Sequence, residues 1–332
     1  MTAATDPSEN GNGRGPLKVL YLIGWGRSGS TLIDTLLGEV PGFFSAGELR
    51  NIWKEGLREG RSCGCGRPVL DCPVWSPVLD LMRGSVPFRP NAMTSVQERS
   101  LRARHALPLI RRVRTGRRLA GGVTSYASTT ERLYRAIQEV TGARVIVDSS
   151  KVPSNAAILA TMPTIQPHLL HLVRDPRASA YSWQRQRERL DGKDDELLPR
   201  FGLVESSSNW VLFNVAAELM ARQDRFRYLQ LRYEDFVRDP RSSLEAVVRW
   251  TGEPSDALPF TDRAVASLGD NHTVGGNPGR FRTGRVEIRE DAEWRTQQHA
   301  SHRLLVTTLT LPLLRRYGYA ARIGDAGAQA SV

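Results

Sequence analysis

The 332-residue sequence predicts an α/β fold, namely a P-loop-containing three-layer α/β/α protein with a central, mostly parallel sheet. Two observations lead to this prediction. Short apolar runs alternate along the chain with longer segments of helical character. Alternating strands and helices are typical of a parallel sheet that is covered by helices on both faces. A Gly-rich segment, GWGRSGST at residues 24–31, follows the first apolar run, and phosphate-binding loops occupy this position in such folds.

Four runs have the composition of strands, and the first three are almost continuous in apolar residues, as strands buried on both faces of a parallel sheet are. They are LKVLYLIG (17–24), ARVIVD (143–148), HLLHLVRD (168–175) and YLQLRYED (228–235). Ligands bind outside the carboxyl ends of such strands. The residues that follow each strand are therefore the candidates for a functional site.

Helical segments separate the predicted strands. One helix is expected to begin at Gly29, and a second covers TTERLYRAIQEVTG and ends at Gly142. A third follows Asp175, because Pro176 is suited to the first helical position.

We expect a single domain over residues 17–320, between a disordered leader (1–16) and a flexible tail (321–332). A basic, mainly helical insertion is expected at about residues 75–140. The leader lacks the apolar core of a signal peptide, and no apolar run approaches the ~20 residues that span a bilayer. The sequence therefore predicts a cytoplasmic protein, and its oligomeric state stays open.

The net charge of +11 suits an anionic ligand, nucleic acid or an acidic membrane surface. No zinc-finger or aromatic RNA-binding motif accompanies this charge, so nucleic acid is not an expected partner. The Arg-rich segment SVQERSLRARHALPLIRRVRTGRR of the insertion has two interpretations. It is either a solvent-exposed basic face, or a surface that lines an acceptor site or contacts acidic lipid.

Three cysteines lie close together in CGCGRPVLDC, at Cys63, Cys65 and Cys72. No histidine lies within twenty residues on either side, so a zinc site would need a distant fourth ligand. A disulfide would be unusual in a reducing cytoplasm. We predict reduced structural cysteines in a compact loop.

The segment GWGRSGST fits the phosphate-binding pattern G-x-x-x-x-G-K-[ST] except that Ser30 replaces the lysine. Its backbone N–H groups and the following helix dipole still suit a phosphate, and Arg27 provides a cation. In ATP-hydrolysing loops an aspartate at another strand end helps to bind magnesium. No such aspartate is evident here, so the sequence predicts no metal at this site.

A second anion site is predicted after the third strand. Arg174 would emerge at the ligand edge of the sheet, and Ser182 lies on the helix that follows. The alternative is that Arg174 pairs with Asp175 and caps the helix. Two anion sites at neighbouring strand ends suggest a ligand with two separated phosphates.

Three segments in this order, GRSGSTL, LVRDPRASAYSW and LRYEDFVRDPRSSLEAVVRWTG, resemble the PAPS-dependent sulfotransferase family. The resemblance is to its bacterial branch and to the tyrosylprotein sulfotransferase-like type. It implies that 3′-phosphoadenosine 5′-phosphosulfate (PAPS) is the co-substrate and that no metal is required. It also implies that the 3′-phosphate is bound by Arg174 and Ser182, and that the first loop binds the 5′-phosphosulfate through Gly26, Arg27, Ser28, Gly29, Ser30 and Thr31.

The same resemblance implies the catalytic residues. Glu48, in FFSAGELR, matches the catalytic base, and Lys151, in DSSKVPSN, matches a lysine near the scissile bond, where it would act with Arg27. The alternatives are a helix-terminal charge for Glu48 and a solvated loop lysine for Lys151. Further candidate nucleotide contacts are Tyr233, for which a core position is equally expected, and Asn277, Arg280 and Arg282 in a C-terminal loop.

Two histidines are not assigned to catalysis. His171 is expected in the core of a strand, and His272 lies near the C-terminal loop without a defined partner.

The leading hypothesis is a sulfotransferase that moves a sulfuryl group to a hydroxyl or amine of a small-molecule, carbohydrate or lipid acceptor. One alternative is a P-loop nucleotide kinase or NTPase-like enzyme, which predicts binding of ATP with magnesium. Another is a noncatalytic protein that binds polyanions or makes peripheral contact with acidic membranes, which predicts salt-sensitive binding without turnover.

Overall fold

Five parallel strands form the central sheet of the computed structural model, which describes residues 15–85, 88–191 and 196–321. The spatial order is β2-β3-β1-β4-β5. Its strands are β1 (Leu17–Ile23), β2 (Phe43–Ser45), β3 (Val145–Lys151), β4 (Ile165–Val173) and β5 (Arg227–Arg232). The predicted leader and tail lie outside the described residues, apart from Gly15, Pro16 and Ala321.

The sheet is covered on both faces, as the apolar composition of its strands predicts. Along β1, Val19 and Tyr21 pack into the core on one face, whereas Leu20 and Leu22 pack into the core on the other. This alternation is the period of two of a strand with two buried faces. The three-layer α/β/α prediction is confirmed.

Helices form the outer layers and connect the strands. They are α1 (Ser30–Gly38), α2 (Trp75–Ser85), α3 (Pro90–Ser100), α4 (Ala106–Arg114), α5 (Gly121–Thr141), α6 (Pro153–Leu159), α7 (Pro176–Gln184), α8 (Leu203–Ala221), α9 (Tyr233–Arg238), α10 (Pro240–Trp250), α11 (Trp294–Gln297) and α12 (Ala300–Arg316). None of the described helices is both long and apolar enough to cross a membrane.

The three predicted helix boundaries are confirmed, each by a local backbone feature. Gly29 precedes α1 with φ of 83°, and Gly142 follows α5 with φ of 70°. Both angles lie in the left-handed region that favours glycine. At α7, the Asp175 side chain accepts a hydrogen bond from the backbone N–H of Arg177, which satisfies one of the free donors of the first turn.

A second, antiparallel sheet was not predicted. It has the order β6-β7-β8 and consists of β6 (Phe260–Asp262), β7 (Val265–Leu268) and β8 (Gly284–Glu287). Phe260, Ala266 and Leu268 pack into the same core as α1 and α10. The small sheet therefore extends one helical layer of the domain.

The basic insertion is helical, as predicted, and consists of α2 to α5. Leu109 and Ile110 of α4 are buried, while Arg111, Arg112 and Arg114 are exposed. The arginines of this segment thus form a solvent-exposed basic face, and contact of this face with acidic lipid stays a prediction.

His171 lies in the core of β4, as predicted. Its Nδ1 is 2.7 Å from the Tyr228 hydroxyl, and its Nε2 is 2.6 Å from Oδ1 of Asn214. A neutral ring satisfies both partners if Nε2 donates to the amide oxygen and Nδ1 accepts from the hydroxyl. Burial lowers the pKa of His171 to about 4, because the charged ring would lose its hydration.

This burial predicts a pH dependence of stability. The ordinary pKa of histidine is 6.5, so below it the unfolded chain binds a proton that the folded chain does not. The contribution of His171 is therefore present above that value and is lost as the pH falls towards 4. Between about pH 7 and pH 5 we expect it to lower the free energy of unfolding by about 2 kcal/mol.

Urea unfolding of the wild type and of His171→Gln at both pH values measures this contribution. The variant should be less stable at pH 7 but should show a smaller decrease on acidification. An equal decrease in both proteins would contradict the assignment.

Candidate active site

A cavity of about 1250 Å³ lies at the carboxyl edge of the central sheet. Segments that follow four strands line it: residues 25–27 and 29–32 after β1, 150–152 at the end of β3, Arg174 after β4 and Tyr233 after β5. Because the strands are parallel, their carboxyl ends meet at one edge. The fold therefore brings the predicted site segments together.

The Gly-rich loop after β1 presents free backbone donors. The N–H groups of Gly26, Arg27, Ser28 and Gly29 have no acceptor in the part of the chain that the structure describes. Gly29 has a left-handed backbone, and a Cβ atom there would lie 2.7 Å from Cδ2 of Tyr233. The loop therefore requires glycine at this position, and it has the geometry of an anion-binding nest at a helix N-terminus.

Arg27 provides a half-buried cation inside this loop. Its guanidinium lies 4.5 Å from the centroid of the Trp183 ring, and no described carboxylate forms an ion pair with it. Burial, followed by the charge of Arg187, lowers the pKa of Arg27 to about 10. An anion in the cavity would relieve this unfavourable burial of positive charge.

Arg174 forms a second, separate cationic group. Its guanidinium donates to the backbone oxygens of Arg27 and Asp291, both at 2.8 Å, and lies 4.3 Å from the centroid of the Tyr233 ring. Ser182 and Tyr233 line the same cavity. The alternative pairing of Arg174 with Asp175 is not found, because Asp175 forms its ion pair with Arg177.

Glu48 and Lys151 form an ion pair at the cavity wall. The Lys151 ammonium donates to Oε1 of Glu48 at 2.5 Å and to the backbone oxygen of Ser149 at 2.8 Å. The other carboxylate oxygen of Glu48 accepts from the side-chain amide of Asn51 at 3.1 Å. The Lys151 side chain is only 15% exposed, so it is not a solvated loop lysine.

The backbone at both candidate catalytic cations is unusual. Arg27 has φ of 67° and Lys151 has φ of 68°, and they are the non-glycine residues with positive φ in the described part of the chain. Lys151 follows an irregularity in the pairing of β3 with β1, and such bulges redirect a side chain. A left-handed conformation costs about 1–3 kcal/mol at a residue with a side chain and is concentrated at functional sites.

The C-terminal loop contributes two of its three predicted residues to the cavity. Asn277 and Arg282 line it, whereas Arg280 is 1% exposed and points elsewhere. The Arg280 guanidinium pairs with Asp191 at 2.8 Å and donates to the backbone oxygens of Thr273 and Ser62. Arg280 therefore connects its own loop to those of Ser62 and Asp191, and it is not among the candidate nucleotide contacts in the cavity.

Ser28 is the other predicted contact whose side chain does not reach the cavity. It is buried, and its hydroxyl has no described partner. Only its backbone N–H belongs to the free donors of the loop.

Sequence reasoning missed the aromatic ring of Trp183 and five arginines of the cavity, namely Arg50, Arg185, Arg187, Arg189 and Arg289. With them, nine basic and five acidic side chains line the cavity, so its charge suits a polyanion. The available signal was the alternation of arginine at residues 185, 187 and 189, just after the second anion motif. No residue of the basic insertion lines the cavity among those described.

A sequence model of the sulfotransferase family matches residues 77–257, which is more than half of the chain. The chain therefore belongs to the sulfotransferase family. The matched region contains Lys151, Arg174, Ser182 and Tyr233, while the Gly-rich loop and Glu48 lie before it. No curated protein sequence matches the chain.

Solved structures show the same fold. The sulfotransferase domain from the Synechococcus PCC 7002 olefin synthase is 21% identical, with a TM-score of 0.51 over 96% of this chain and 99% of that domain. The sulfotransferase domain from the curacin biosynthetic pathway is 18% identical, with a TM-score of 0.51 over 92% of this chain and 99% of that domain. At these identities the likeness concerns the fold.

The position of Arg280 predicts a loss of stability on substitution. Arg280→Met leaves Asp191 with only the half-buried Arg189 as an ion-pair partner and removes the bonds to two backbone oxygens. We expect a fall of roughly 3 kcal/mol in the free energy of unfolding, because breaking a buried ion pair leaves an uncompensated charge.

The exposed Arg282 of the same loop is the matched control, and Arg282→Met should change stability by less than about 0.5 kcal/mol. Urea unfolding of both variants provides the comparison. Equal free energies of unfolding for the two variants would show that the contacts of Arg280 do not stabilise the loops.

Proposed function

We propose that this protein transfers a sulfuryl group from PAPS to a hydroxyl or amine of a small-molecule, carbohydrate or lipid acceptor. The observation that carries this proposal is the grouping of three features in one cavity. The Gly-rich loop with Arg27 suits one anionic group, Arg174 with Ser182 suits another, and the Glu48–Lys151 pair lies at the same cavity wall.

The residues fit a nucleotide with two separate anionic groups. The free N–H groups of the loop and the unpartnered Nε of Arg27 suit the 5′-phosphosulfate. The Nε of Arg174 is also unpartnered, and this side chain suits the 3′-phosphate. PAPS, when bound, supplies the activated sulfuryl group and a phosphate leaving group.

Glu48 is suited to the role of general base. An acceptor hydroxyl or amine that enters the cavity would transfer its proton to the Glu48 carboxylate, and a positioned base typically contributes ~10²–10⁴-fold. The Asn51 amide and the Lys151 ammonium orient this carboxylate. Lys151 and Arg27 are fixed cations near developing negative charge, which lowers the barrier without reorganisation during the reaction.

The positions of the aspartates argue against a nucleotide kinase or NTPase. Asp148 is buried and accepts hydrogen bonds from Tyr134 and Ser150, and Asp34 is buried and accepts from Ser45 and Ser149. Neither lines the cavity, and Asp291, which does line it, is paired with Arg174 and Arg185. A P-loop NTPase needs an aspartate beside its loop to bind magnesium, and Ser30 also replaces the loop lysine.

The first test compares two nucleotides. Adenosine 3′,5′-bisphosphate should raise the melting temperature of the protein far more than ATP with Mg²⁺, because its two phosphates match the two anion sites. Bound ligand stabilises a fold by about 2.7 kcal/mol at a concentration of 100 Kd.

Two glycine variants make this test specific to the loop. Gly29→Ala should abolish the stabilisation by the bisphosphate, because the new Cβ atom meets the Tyr233 ring. Gly116→Ala introduces the same kind of left-handed alanine into open space, so it should keep the stabilisation. A larger shift with ATP and Mg²⁺ would overturn the proposal in favour of the kinase.

The second test concerns the base. Glu48→Gln should keep the affinity for adenosine 3′,5′-bisphosphate but lose about 10²–10⁴-fold in turnover, measured as transfer of labelled sulfate from PAPS in an acceptor screen. Glu59→Gln, which removes an equal charge outside the cavity, should keep its turnover. Unchanged turnover in Glu48→Gln would exclude Glu48 as the base.

A further inference from the structure

The fold brings a histidine to the three cysteines across two hundred residues of sequence. Cys63, Cys65, Cys72 and His272 each offer one ligand atom, and these four atoms lie within 4.8 Å of one another. Cys63 and Cys72 are fully buried, while Cys65 and His272 are half-buried. The distant fourth ligand that the cysteine spacing requires is therefore present.

Three of the distances within this Cys₃His cluster lie in the range of tetrahedral coordination, and the fourth is shorter. The Sγ atom of Cys72 lies 3.6 Å from that of Cys63, 3.8 Å from that of Cys65 and 3.2 Å from Nδ1 of His272. Nδ1 is also 3.8 Å from Sγ of Cys63. A tetrahedral zinc ion, with Zn–S of about 2.3 Å and Zn–N of about 2.0 Å, separates its ligand atoms by roughly 3.5–3.8 Å.

Backbone N–H groups around the cluster are directed at two of the sulfur atoms, a position that suits thiolates. The N–H of Cys65 points at the Cys63 sulfur, and those of Val74 and Trp75 point at the Cys72 sulfur. The Trp75 indole donates to the backbone oxygen of His272 at 2.7 Å. Such hydrogen bonds around the ligands orient a metal site and are a regular part of it.

The chemistry of the four donors selects the metal. Thiolates and imidazole favour zinc, and a Cys₃His set with four protein ligands is typical of structural sites, which keep no position open for substrate. None of the four residues lines the cavity. This separates the cluster from the transfer reaction.

We propose that the Cys₃His cluster binds one structural zinc ion, which joins the loop of residues 62–72 to the segment that begins at His272. That segment pairs with the loop of the candidate base. The backbone N–H of Val274 donates to the backbone oxygen of Ala46, and the backbone N–H of Glu48 donates to the backbone oxygen of Val274. The ion therefore supports the loop that carries Glu48, and the three cysteines are ligands where the sequence alone predicted reduced structural cysteines.

The direct experiment is the metal content of the full chain, produced with zinc in the medium and purified without chelator. Mass spectrometry of the metals should find about one zinc per chain in the wild type. Cys72→Ser and His272→Ala should lose it, whereas the control His302→Ala, a histidine outside the cluster, should retain it. Wild-type protein with little zinc would overturn the proposal, as would full zinc in Cys72→Ser.

A second measurement needs no variant. Removal of metal from the wild type with a chelator should lower its melting temperature, and Zn²⁺ should restore it where Mg²⁺ does not. Co²⁺ added to the metal-free protein should give the intense visible bands of tetrahedral coordination. A melting temperature that is indifferent to chelator and Zn²⁺, or a Cys63–Cys72 disulfide found by mass spectrometry, would contradict the site.

Both readouts are independent of sulfuryl transfer. Failure of the nucleotide test with a positive metal result would reject the proposed function alone.

Discussion

Parallel pairing of β1 with β3 and β4 is the constraint on which the site depends. It places the residues after all three strands at one edge, so Arg27, Lys151 and Arg174 share one cavity although they are far apart in sequence. Several cations in a partly buried space repel one another and lose hydration. The cost is visible in the lowered pKa of Arg27, caused by burial and by Arg187. A polyanionic ligand would offset that cost, which favours a nucleotide with two separate anionic groups.

The long elements of the fold could be predicted, because they bury continuous apolar surface. β1, β3 and β4 were recognised as apolar runs, with ends displaced by up to three residues. β2 and β6 to β8 have only three or four residues, too few for a periodic pattern to be visible. The predicted end of β5 was wrong for a local reason. The strand ends at Arg232 and Tyr233 begins α9. The composition of the sequence does not change sharply at this boundary.

The placement of candidate residues in the cavity could be predicted where a motif directly follows a strand, as at Arg27, Glu48, Lys151 and Arg174. It could not be predicted where the role of a side chain depends on tertiary contacts. Arg280 follows the same basic pattern as Arg282, yet one is buried against Asp191 and the other is exposed. The sequence shows two arginines of the same kind. It does not show that the fold brings Asp191 to only one of them.

The positions of Arg280 and His272 explain how the candidate base is held. Both residues belong to the C-terminal segment that pairs with the Glu48 loop, and both connect this segment to the cysteine loop, Arg280 through the Ser62 oxygen and His272 through the Cys72 sulfur. A base must stay within hydrogen-bond reach of the proton that it removes. Ala46 and Leu49, on either side of Glu48, pack into the core, and the contacts of Arg280 and His272 behind the loop add to this packing. The cations that face the cavity suit an anionic ligand, while the contacts behind the loop fix the position of Glu48.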